Sequence, residues 1–167
     1  MYDIVMKWDW GNSESPDIYH DPETRKNSIT YRTNLARLME ALIKEGKKDK
    51  AKNIIDLAMK KMPVEYYGYY TLLEPFATGY YQLGQKQQAR QLLDTLVKKY
   101  QENLTHYRSM SSEDQRSVAV DIITAIERYR SLLWVMKDNG DDEHYNAAKA
   151  KFNEFNQKAG RYKRDAE

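Results

Sequence analysis

The feature that most restricts what this chain can fold into is a ladder of apolar and small residues that occurs twice. Leu35, Leu38, Leu42, Gly46, Ala51, Ile55, Ala58 and Pro63 are separated by three, four, four, five, four, three and five residues. Leu73, Phe76, Tyr80, Gly84, Ala89, Leu93 and Leu96 repeat the same steps at an offset of 38 residues, stopping only where the last proline would be Gln101. Steps of three and four put side chains on one face of an α-helix, whereas a half-buried strand alternates every second residue. A glycine followed five residues later by an alanine marks a tight turn between two such helices, because glycine accepts the left-handed conformation that ends a helix. Ala51, Ala58 and Ala89 are small enough to let the second helix lie close against the first. Each copy of the ladder therefore predicts an antiparallel αα-hairpin.

The ladder resembles the tetratricopeptide repeat, whose pattern places a large apolar residue, Leu, Tyr, Gly, Ala, an apolar residue, Ala and Pro at these intervals. The first copy departs at Leu35, where the family often has Trp, and at Met39, where it prefers a small residue. The second keeps Ala77 at that small position but has Leu96 in place of Ala and lacks the closing Pro. The resemblance implies an all-α, right-handed solenoid of stacked αα-hairpins with a concave surface lined by the first helix of each. Pro63 to Tyr70 forms a connector that lengthens the repeat. After it, Thr71 reads as an N-cap with Glu74 completing a capping box and Pro75 in the first turn.

Beyond residue 100 the repeat becomes irregular while the helical signal persists. Tyr100 to Met110 reads as an extension of the preceding helix. Ser112 with Gln115 reads as a capping box for a helix carrying Val118, Ile122, Ile126, Tyr129, Leu133 and Met136, which ends at Asn139-Gly140. Asp141 then caps a last helix with Tyr145, Ala148, Phe152, Phe155 and Ala159 as its buried stripe and Gly160 as its stop. The terminal Arg161, Lys163 and Arg164 are expected to fray. The reading is about three hairpins, over about 28–63, 71–110 and 112–160, in a single helical domain of residues 28–167.

Residues 1–27 show no sustained period. They hold Trp8 and Trp10, two prolines and several small polar residues, and read as an irregular, extended arm that packs over the first hairpin as a cap. Asp21-Pro22-Glu23 has the form of a helix start, which would move the first helix forward from Ser28. Trp8-Asp9-Trp10-Gly11-Asn12, Tyr19-His20-Asp21-Pro22, Tyr31-Arg32 and Ala41-Leu42-Ile43-Lys44-Glu45-Gly46-Lys47 together resemble the C-terminal portion of a bacterial multi-spanning membrane protein family. That family has a glycosyltransferase-like membrane region of unknown function. The resemblance implies that this chain belongs to a larger, membrane-anchored protein whose membrane part would hold any catalysis.

Composition narrows the chemistry. Lys and Arg number 27 against 25 Asp and Glu, a formal charge of +2, so no broad basic field invites nucleic acid. Lys44, Lys47, Lys48, Lys50, Lys52, Lys60 and Lys61 are interrupted by Glu45, Asp49 and Asp56, and read as a solvated helix face or, alternatively, as a contact for an acidic partner. No apolar run approaches the roughly 18 residues of a membrane-spanning helix, and Met1-Tyr2-Asp3-Ile4 lacks the segments of a signal peptide. This chain is therefore expected to be soluble and not to insert directly into a membrane. With no cysteine there is no disulfide, thiol nucleophile or Cys-ligated zinc, and the compartment stays open.

Catalytic patterns are scarce. His20, His106 and His144 are the three histidines, and none has a second histidine at helical spacing for a metal. His20-Asp21 and Asp141-Asp142-Glu143-His144 are the conceivable metal clusters, and the latter suits the positive end of a helix. Gly79 to Gly84 lacks the Lys-Ser or Lys-Thr of a phosphate loop. No catalytic residue, cofactor or metal is expected.

What remains is recognition. Tyr66, Tyr67, Tyr69, Tyr70, Tyr80 and Tyr81 fall within 16 residues, a density that leaves some rings partly exposed. The expected function is non-catalytic binding of a protein or peptide in the concave groove, at Asn34, Arg37, Thr78, Tyr81 and Gln82, with Tyr66, Tyr67, Tyr69 and Tyr70 as candidate aromatic contacts. Two alternatives stand beside it. One is a glycan-contacting accessory domain of a membrane glycosyltransferase-like protein. The other is a purely structural or self-associating domain.

Overall fold

The structure is a computed structural model that describes residues 1–159. The expected stop at Gly160 and the fraying of Arg161, Lys163 and Arg164 lie outside the described residues. Among those residues the chain is all-helical, with no strand. In chain order it runs α1 (Tyr2–Val5), α2 (Pro22–Lys44), α3 (Lys48–Lys61), α4 (Val64–Tyr67), a 3₁₀ turn (Tyr70–Leu72), α5 (Glu74–Gln82), α6 (Lys86–Ser109), α7 (Ser112–Ser117), α8 (Ala119–Asp138) and α9 (Asp142–Ala159).

Three helix-to-helix turns are built in the same way, and each follows from one glycine. At Gly46, Gly84 and Gly140 φ is +72°, +74° and +70°, the left-handed region in which a Cβ is strained. In each case the next residue donates its N–H to a carbonyl five residues back: Lys47 to Leu42 at 2.9 Å, Gln85 to Tyr80 at 2.8 Å and Asp141 to Met136 at 2.9 Å. This closure satisfies carbonyls that the helix end would leave orphaned. The turn at Gly140 therefore repeats the geometry of the two ladder turns.

The chain divides into two compact units, Met1–Ala89 and Arg90–Glu167, with the boundary inside α6. The arm, residues 1–27, falls in the first unit together with α2 to α5. In the first unit α2 and α3 pair as an antiparallel hairpin, and α5 packs against both. Leu35, Met39, Leu42, Ala51, Ile54, Ile55, Ala58, Leu73, Phe76, Ala77, Tyr80 and Ala89 make its core. Leu38 is only half-buried, because it faces the arm.

Helix starts follow local chemistry, with two corrections to the sequence reading. Helix α2 begins at Pro22, where the Asp21 carboxylate accepts the backbone N–H groups of Glu23 and Thr24 at 2.9 and 3.1 Å. Thr71 does not cap α5. It lies inside the 3₁₀ turn, and α5 starts at Glu74 with no side-chain cap and Pro75 in its first turn. A proline there lacks one of the donors a cap would serve. Ser112 does not cap the helix after residue 110 either; Ser111 does, its hydroxyl accepting the N–H of Asp114 at 3.1 Å.

In the second unit α8 and α9 pair around Tyr129, which is wholly buried and meets Phe152 edge-on at 5.1 Å between ring centroids. Gln101 donates to its hydroxyl at 2.8 Å, so the one polar atom of the ring is satisfied. Asp141, also fully buried, receives Arg90 through two hydrogen bonds of 2.8 and 2.5 Å. A buried carboxylate needs such a two-pronged partner.

Candidate functional site

The first unit gathers its surface features around α2. The arm crosses the α2–α3 hairpin and is fastened at both ends. Near its start the hydroxyl of Tyr2 accepts from the Asn53 amide at 2.8 Å, and Lys50 lies over the Tyr2 ring. Further along, the Ser13 hydroxyl donates to the Lys61 carbonyl at 2.7 Å, and Lys61 pairs with Glu14. Three clefts result along α2.

The first cleft, of about 700 Å³, lies between α1 and α2. Ile4, Val5 and Trp8 form one wall and Leu35, Leu38 and Ala41 the other, with Asn34 and Arg37 as the polar groups. Arg37 is exposed, has no hydrogen-bond or ion-pair partner among the described residues, and is the only charged side chain in the lining. The second cleft, of about 460 Å³, lies between α2 and α5. Glu40 and Lys44 face Glu74, Thr78 and Gln82 across a floor of Met39 and Ile43, so charges of both signs line it.

The expected groove residues are thus not one site. Asn34 and Arg37 line the first cleft, Thr78 and Gln82 the second, and Tyr81 is half-buried and lines none of the three clefts described here. The hundred-degree step of the helix explains the split, since positions 34 and 37 of α2 face the arm while 40 and 44 face α5.

Of the connector tyrosines Tyr67 is buried, Tyr66 and Tyr70 are half-buried and Tyr69 is exposed. Tyr66 and Tyr67 pack on the buried His20 at centroid distances of 6.0 and 4.5 Å, and Tyr67 is itself buried. Burial is the main reason its phenol is pushed above the usual range. Tyr69 has φ +46° and Tyr70 opens the 3₁₀ turn. What fixes this loop is Arg32, a residue that sequence reasoning assigned no role. It is fully buried, and it donates from Nη1 to the Gly68 and Tyr69 carbonyls at 2.6 and 3.2 Å and from Nη2 to the Met62 carbonyl at 2.8 Å. Burial pushes its guanidinium down to about 10.

The third cleft, of about 400 Å³, lies between the arm and the first half of α2. Trp8, Trp10 and Tyr31 stand with every pair of ring centroids 5.8 Å apart, tilted at 51° to 70°. Thr24, Asn27, Ser28 and Tyr31 supply the α2 wall, and Tyr67 and Met62 also line it. The sequence did carry a signal for that wall, because 24, 27, 28 and 31 step by three, one and three along one helical stripe.

No group of three or more potential metal-ligating side chains is present among the described residues. Nor is any helix among them long and apolar enough to cross a membrane. No protein-family model, curated protein or solved structure matches the chain.

Proposed function

We propose that the chain is a non-catalytic recognition module of tetratricopeptide type, and that the cleft between α1 and α2 takes an apolar protein or peptide segment carrying one acidic residue. The observation that supports this reading is the unpaired Arg37 guanidinium set, beside the Asn34 amide, in a mostly apolar cleft of about 700 Å³. That volume lies within the range of ligand pockets, which are mostly apolar with few orienting polar groups. An apolar segment would bury Ile4, Leu38 and Ala41, and its carboxylate would meet Arg37 as a charge-assisted pair. The α2–α5 cleft supports the reading less, because its mixed charges select no single complement.

The test is selection of binders from a displayed random peptide library on the whole chain. Selected peptides are expected to share an acidic residue flanked by apolar ones, and to bind Arg37→Glu and Ala41→Glu about tenfold or more weakly. Failure of the selection, or peptides that bind both variants as tightly as the parent chain, would overturn the reading.

A further inference from the structure

The third cleft shares Trp8 with the one just discussed and is otherwise lined by different residues, Asn27 and Tyr31 among them. Its chemistry is that of a sugar site. A pyranose ring offers a flat C–H face and, around its edge, hydroxyls that both donate and accept. It is held where an aromatic face is available to the first and mixed polar groups to the second.

Both features are present. Trp8 is 40 % and Tyr31 43 % exposed, large values for rings already packed on one another. The indole N–H groups of Trp8 and Trp10 and the Asn27 amide have no hydrogen-bond partner among the described residues, leaving donors and an acceptor unused at the cleft. Asp9 adds a carboxylate, of which Oδ1 accepts the Gly11 N–H at 2.9 Å while Oδ2 has no donor among those residues. A volume of about 400 Å³ admits one to two sugar rings.

The same geometry disfavours two other ligand classes. A cation in the plane of the three ring centroids would lie about 3.3 Å from each, too close for an ammonium group, so the centre of the three rings does not suit one. Asp9 is the only charged side chain in the lining, which favours neutral sugars over phosphorylated or carboxylated ones. We propose that the cleft between the arm and the first half of α2 binds a neutral pyranoside, stacked on Trp8 and Tyr31 and hydrogen-bonded by Asn27 and Asp9.

The test uses the whole chain carrying Trp134→Phe, so that Trp8 and Trp10 are the only indoles. Chitotriose, cellotriose, maltotriose and mannotriose are titrated, with glucose 6-phosphate and tetramethylammonium alongside. Indole fluorescence and saturation-transfer NMR on the sugar C–H protons are read together. At least one neutral trisaccharide is expected to give a saturable response in both. Tyr31→Ala and Asn27→Ala, both exposed positions on a helix, are expected to weaken it about tenfold or more. No saturable response from any trisaccharide, an undiminished response in both variants, or a response to the phosphate or ammonium probe alone would overturn the proposal.

Discussion

The sulfur of Met39 fills the space that a side chain at Gly79 would need: a Cβ there would lie 2.3 Å from Met39 Sδ and 3.1 Å from Ile55 Cδ1. The first hairpin places Met39 where the second copy of the ladder has the small Ala77. The structure answers with a glycine on the facing helix. Met39 is the knob and Gly79 the hole where α2 meets α5.

Gly79→Ala should therefore destabilise the first unit. The usual gain of about 1 kcal/mol for alanine over glycine in a helix is outweighed by overpacking of about 1–3 kcal/mol, because Met39 is itself enclosed and cannot swing into solvent. In a Met39→Ala background the same substitution should become stabilising, since the clash with the sulfur is gone, Ile55 Cδ1 can give way into the space Met39 vacates, and the helix gain remains. Urea denaturation of the four members of this cycle checks it, and the sign reversal is the decisive outcome.

How much of this was legible in the sequence differs from feature to feature. The α2–α3 hairpin could be read because Leu35 to Pro63 states its period, turn and small contacts within one stretch of chain. The Asp21 cap and the Gly46, Gly84 and Gly140 turns could be read for the same local reason. Arg32 could not, because its partners are backbone carbonyls of Met62, Gly68 and Tyr69, which no side-chain pattern announces. Nor could the aromatic cleft, since Trp8 and Trp10 meet Tyr31 only after the arm folds back across the hairpin. Which cleft each expected groove residue lines was not legible either, because spacing along α2 does not state which neighbour a face meets: Asn34 and Arg37 lie towards the arm, while Thr78 and Gln82 meet Glu40 and Lys44.

Arg32→Met keeps the bulk of the side chain and removes its donors. Three carbonyls then lose a charged partner in a buried or half-buried setting, a loss on the order of 3 kcal/mol. Because the connector is held through these bonds, its cleavage by protease at Tyr66 to Tyr70 should accelerate more than cleavage elsewhere in the chain. Arg32→Lys should recover only a fraction of the stability, since one ammonium cannot span carbonyls that two guanidinium nitrogens reach. Denaturant melts and timed proteolysis of both variants measure these effects.

At the start of α2, the hydrogen bond from the Thr24 hydroxyl is the largest of several that hold the Asp21 carboxyl below its ordinary value of 3.8. A group whose folded-state value is depressed contributes stability that is present above the unfolded value and is lost as pH falls through the folded one. Acidification below about pH 4 should therefore loosen the first turn of α2. Asp21→Asn can still cap the helix but cannot titrate, so it should flatten this part of the acid profile. Amide exchange at Glu23 and Thr24, followed across that range in both proteins, reads the difference directly.

The opposite sign applies to Tyr80. Its hydroxyl donates to Asp56 Oδ1 at 3.1 Å, and burial first, then the charge of Asp56, pushes the phenol well above its ordinary value of 10.0. In the unfolded chain the phenol ionises at its ordinary value, whereas in the folded chain it stays protonated. The folded state therefore binds more protons above that value, and the stabilisation is fully present below it and lost as pH rises. Tyr80→Phe should lose about 1 kcal/mol near neutrality, a modest effect because Asp56 keeps Lys52 as a partner. Between about pH 9 and about pH 12 the variant's stability should fall less steeply than the parent's, so that the two curves converge. Some slope should persist in both, because burial raises the phenols of Tyr67 and Tyr129 as well. Curves that stay parallel across the whole range would mean that the Tyr80 hydroxyl is no better protected than one in the unfolded chain.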